Sequence, residues 1–74
     1  MPASAGALRA TPLHPAVRLI RGETLPELGG RLMELRIREH YEVLEVMAVV
    51  QVPGVKAPKR VAWQLDGASV MAAL

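Results

Sequence analysis

Two histidines, seven carboxylates and no cysteine are the stock from which this 74-residue chain would have to build a metal or catalytic site. A metal centre needs several converging ligands. His40 stands beside Glu39 and Glu42, but His14 lies far upstream. A solvated histidine at a helix end, favoured by the helix dipole, accounts for His40 without a metal. Glu39, Glu42 and Glu45 would serve acid-base chemistry only if they met. A strand beginning near Tyr41 puts Glu42 and Glu45 on opposite faces, which favours a solvated edge. The serines, Ser4 and Ser69, have no histidine near them in sequence. Gly29-Gly30 has neither the spacing nor the trailing lysine of a phosphate loop. The chain therefore reads as non-enzymatic, with no catalytic residue, metal ligand or cofactor expected.

Basic residues form the one suggestive cluster. No acidic residue lies between Val46 and Leu65, and Lys56, Lys59 and Arg60 gather there with two prolines, next to Trp63. Arg18 and Arg21 are positioned upstream to add charge. A basic arm of this kind follows a phosphate backbone in nucleic-acid-binding proteins. Three charges give little non-specific affinity, however, and no run of stacking aromatics accompanies them. Lysine and proline at a sheet edge also serve to block aggregation. Nucleic-acid binding by a basic hairpin is thus the second reading of this chain.

The elements that would position these residues follow from periodicity and turn chemistry. Ala16 to Arg21 alternates Val17 and Leu19 with Arg18 and closes at Gly22, which predicts a short first strand. Thr24, Pro26 and Glu27 have the makings of a capping box. Beyond them Leu25, Leu28, Leu32 and Leu35 recur at helical spacing, with Glu27, Arg31, Glu34 and Arg38 as an opposite stripe, predicting the main helix. From Tyr41 the valines at 43, 46, 49, 50 and 52 predict a strand, ended by Pro53-Gly54. Val55 to Lys59 reads as a loop, Arg60 to Leu65 as the returning strand, and Ala68 to Leu74 as a short helix behind Asp66.

The segment Leu28-Gly29-Gly30-Arg31-Leu32-Met33-Glu34-Leu35-Arg36 resembles the first helix of the repressor-type helix-turn-helix family. The likeness spans about nine residues. That family requires a second helix and a recognition helix where this chain has its valine-rich run, so membership is not assigned.

The expected fold is α+β: a small antiparallel sheet of about three strands packed with one main helix, in the order strand, helix, strand, strand, short helix. Residues 1–12 read as a flexible tail and 13–74 as one domain. A domain of this size buries only about 60% of the surface its unfolded chain exposes. Without cysteine it has no disulfide to compensate, which moves oligomerisation up the list. Hydrophobic residues make up 51% of the chain, yet Phe is absent and Trp and Tyr occur once each. The core is then Val, Leu, Ala and Met, and apolar surface is expected to be shared with a second copy. A homodimer or higher homo-oligomer through the apolar sheet face or an edge strand is the first reading, with Val46, Ala48, Val50 and Trp63 near the contact and a further protein partner allowed.

The net charge of +2 does not by itself imply nucleic acid. No apolar run approaches the roughly 18 to 20 residues of a membrane span, since Val46 to Val50 stops at Gln51. No membrane association and a cytoplasmic location are expected. The lack of Cys and Asn is a bias shared by heat-exposed proteins and by GC-rich coding.

Overall fold

A computed structural model describes residues 13–74, in the order helix, strand, strand, strand, helix. The expected 1–12 tail lies outside the described residues. The elements are α1 (Pro15–Ile20), a 3-10 turn (Pro26–Leu28), β1 (Arg31–His40), β2 (Val43–Gln51), β3 (Lys59–Asp66) and α2 (Gly67–Ala73). The strands form one antiparallel sheet in the order β1-β2-β3. The α+β class and the three-stranded antiparallel sheet agree with the sequence reading, but the element order does not.

The first departure is α1, read from sequence as a strand. Six residues with apolar positions at 16, 17, 19 and 20 fit either period, and the chain ends decide between them. His14 Nδ1 accepts the Ala16 N–H at 3.0 Å and Pro15 occupies the first turn, so the segment starts as a helix. Gly22, at φ 85°, follows Arg21 and turns the chain out of it. Ala16, Val17 and Leu19 are buried.

The second departure is the main helix, which is absent. Leu25 and Leu28 are buried, but in a 3-10 turn that Gly29 ends in the left-handed region at φ 79°. Gly30 then runs so close to β2 that a Cβ there would strike the Gln51 backbone. The next ten residues are β1. Leu32 pairs with Val50 and Leu35 with Ala48, because an extra residue at Met33 interrupts the ladder between Leu32 and Glu34. That bulge is why leucines three apart, which imitate a helix, belong to a strand. The same segment is therefore not the first helix of a helix-turn-helix, and Glu27, Arg31, Glu34 and Arg38 form no helical stripe.

The remaining elements agree closely with the valine pattern. Tyr41-Glu42 makes a two-residue turn between β1 and β2. Pro53-Gly54 makes the next turn, with Gly54 at φ 80° and the Val55 N–H donating to the Val52 carbonyl at 3.1 Å. Asp66 stands at the start of α2, where its carboxylate accepts the Ser69 hydroxyl at 3.1 Å. The Gly67 N–H donates to the Glu42 carbonyl at 2.8 Å, which fastens α2 to the β1–β2 turn.

One face of the sheet is covered and the other is open. Val46, Ala48 and Val50 are buried on the covered face, where Leu19, Leu25 and Leu28 pack over Ala48 and Val50 with Leu35, Val61 and Trp63 alongside. The ring of His14 meets Trp63 edge-on at 6.1 Å. On the open face Glu34 bonds Arg36 at 2.8 Å and Arg38 bonds Glu45 at 3.5 Å. An antiparallel sheet tolerates one solvated face when its side chains alternate in this way.

Candidate functional site

Two features of the covered side stand out, and they adjoin each other. The first is the outer edge of β1. Nine of its ten residues are exposed and only Leu35 is half-buried. Leu32, Met33 and Ile37 are among the exposed large hydrophobics. A long, accessible edge strand of this composition is a template for pairing with another chain.

The second is a groove of about 590 Å³ beside the β1–β2 turn. Its floor is Ile37 and Leu44 of the sheet, and its walls are Ile20 from the end of α1 and Val70, Met71 and Leu74 from α2 and the residue after it. Met71 is 73% exposed and Leu74 58%, and among the described residues no other element closes over them. At the rim Tyr41 is 93% exposed, sits at φ 56°, and stacks edge-on against His40 at 4.7 Å. A bulky residue in the left-handed region at full exposure contributes nothing to the core and carries a backbone cost.

The acidic residues divide between this groove and the rest of the molecule. Glu23 and Glu27 both bond Arg18, at 3.1 and 3.0 Å, while Glu34 and Glu45 have Arg36 and Arg38. Glu39, Glu42 and Asp66 line the groove, and among the described residues no basic side chain pairs with them. The groove lining contains no Lys, Arg or His. From the sequence, Glu42 and Glu45 fall on opposite faces, so that Glu39, Glu42 and Glu45 do not converge. The structure separates Glu45, which bonds Arg38, and brings in Asp66 through the closure of Gly67 on Glu42.

The basic cluster is partly engaged within the chain. Arg18 lies on α1, and its hydrogen bond to Glu23, with the charge of Glu27, raises its pKa above the ordinary arginine value. The Lys59 ammonium donates to the Leu28 carbonyl at 3.1 Å and so caps the 3-10 turn. Lys56, Arg60 and Arg21 are exposed, the first in the β2–β3 loop, the second on the open face of β3, the third after α1. The five bases thus stand on α1, just after it, in the β2–β3 loop and on β3.

Val46, Ala48 and Val50, expected near a self-association contact, have 0% exposure within their own chain. Trp63 is half-buried beside His14. The apolar surface open to a second copy lies instead on the neighbouring strand, at Leu32, Met33 and Ile37 of β1. Sequence reading missed that surface because it placed these residues on a helix.

Among the described residues no helix is long and apolar enough to cross a membrane, and no group of three or more His, Asp or Glu is placed to hold a metal ion. No family model, curated protein or solved structure matches the chain.

Proposed function

We propose that this protein is a small non-enzymatic interaction module that forms a homodimer by antiparallel pairing of β1 with β1 of a second copy. The observation that carries the reading is the ten-residue edge itself, exposed along nearly its whole length and rich in large apolar side chains. A two-fold pairing centred on Leu35 sets Leu35 against its own copy, Met33 against Ile37, and Glu34 against Arg36. That register joins apolar with apolar and acid with base, twice over by symmetry. A domain this small also gains from removing such an edge from water.

The nucleic-acid alternative rests on Lys56, Arg60 and Arg21, since Arg18 and Lys59 already have partners. No apolar or aromatic platform joins those three, which leaves self-association as the better supported reading.

Light scattering at micromolar concentration tests it. The expected mass is that of two chains for the native protein and one chain for Met33→Lys, because a lysine on an edge strand in place of an apolar contact blocks pairing. A native protein that stays monomeric at every concentration and salt would overturn the proposal.

A further inference from the structure

The groove between α2, the end of α1 and the β1–β2 turn takes Ile37 and Glu39 from β1 but opens on a different side from the edge pairing. Pairing occupies the in-plane side of β1, whereas the groove opens above the covered face. Among the described residues nothing covers its apolar walls, with Met71 and Leu74 each more than half exposed. A soluble protein rarely leaves such a lining bare unless something docks there.

Charge selects the kind of occupant. Among the described residues four of the seven acidic side chains are matched to arginines, and the other three all line this one groove. An apolar trough with an unmatched acidic rim is complementary to a segment that is apolar on one side and basic on the other. An acidic or neutral apolar segment would leave Glu39, Glu42 and Asp66 facing like charge or low-dielectric surface.

We propose that this groove docks a cationic amphipathic segment of a partner protein, with Leu44, Val70, Met71 and Leu74 taking its apolar side chains and Glu39, Glu42 and Asp66 its lysines or arginines. Tyr41, fully outward at the rim, closes over the segment. The proposal stands on the groove alone and does not depend on self-association.

The test is fluorescence anisotropy with a labelled amphipathic peptide of about twelve residues built from leucine and lysine at helical spacing. A twin in which glutamate replaces lysine serves as the comparison. Saturable binding of the lysine peptide is expected, at least about tenfold tighter than its glutamate twin. Met71→Ser, which removes apolar surface at an exposed site, and Glu39→Gln with Glu42→Gln, which removes charge, should each weaken it by roughly five- to tenfold. Circular dichroism on each variant confirms that the fold is kept. Failure of the lysine peptide to bind, equal binding of both peptides, or folded variants that bind as tightly as the native chain would each overturn the proposal. So would a fall in the native scattering mass on Met71→Ser, since the groove would then belong to a second copy.

Discussion

Leu32 and Leu35 stand three positions apart on one strand and face the same side of the sheet, the first opposite Val50 and the second opposite Ala48. In a regular strand an odd separation puts two side chains on opposite faces. The extra residue Met33 absorbs the difference. Deleting Met33 should therefore leave a regular ladder, and stability within about 1 kcal/mol of the native value. Deleting Arg36 should flip Leu32 and Leu35 to the open face and cost at least ~2 kcal/mol. Urea titrations of the two deletions compare them directly. Equal losses would mean that the bulge does not set the register.

Gly30 and Gly22 give a second contrast. A Cβ at Gly30 would lie 2.9 Å from Val50 Cγ1 and collide with the Gln51 backbone, whereas one at Gly22 meets nothing but sits at φ 85°. Gly30→Ala is expected to cost about 2 to 3 kcal/mol through forced movement of β2. Gly22→Ala should cost roughly 1 to 2 kcal/mol through left-handed backbone strain. Thermal and chemical unfolding of both variants should give that order.

Tyr41 should be more stable as glycine. Its φ of 56° disfavours any side chain, and at 93% exposure the ring buries almost nothing to offset that. Tyr41→Gly is expected to raise stability by about 0.5 to 1 kcal/mol, read as a rise of a few degrees in Tm. The same substitution should weaken the lysine peptide in the groove. A gain in stability together with a loss of binding would identify Tyr41 as a residue kept for docking.

The edge register predicts a charge-swap rescue. Glu34→Arg places arginine against the partner's Arg36 at two symmetric points, which should weaken dimerisation about tenfold. Glu34→Arg combined with Arg36→Glu restores opposite charges and should recover most of the loss. Sedimentation equilibrium on the single and double variants measures both. No recovery in the double variant would exclude the register centred on Leu35.

Nucleic acid gives the last expectation. Among the described residues Lys56, Lys59, Arg60, Arg21 and Arg31 form no ion pair with a carboxylate, so the affinity for duplex should fall with salt at a logarithmic slope no steeper than about −4.5. A steeper slope, abolished by Lys56→Glu with Arg60→Glu, would move the function to the basic end of the sheet.

How far the fold could be read from residues alone varies along the chain. The valine run, the Pro53-Gly54 turn and the alternation through Val61, Trp63 and Leu65 placed β2 and β3 nearly to their ends, because strand and turn signals there agree. Around Leu25 to Arg38 a 3-10 turn, two glycines and a bulge combined to imitate a helical period, and only the close passage of Gly30 along Gln51 excludes the helix. The acidic groove was illegible for a different reason. Asp66 is far from Glu39 and Glu42 in sequence, and they come together through one backbone hydrogen bond, from Gly67 to Glu42. Single-chain patterns describe neighbours within an element and carry no signal for such a closure.

The placement of acids and bases that form no ion pair has an electrical consequence. Glu39, Glu42 and Asp66 lie at the end of the sheet marked by the His40–Val43 pair, while Arg31, Lys56, Lys59 and Arg60 lie toward the end marked by the Arg31–Gln51 pair. Among the described residues these charges thus form a dipole running along the strands. A dipole of this kind presents its acidic end to cationic surfaces and its basic end to anionic ones. Any charged partner it approaches will meet it already oriented.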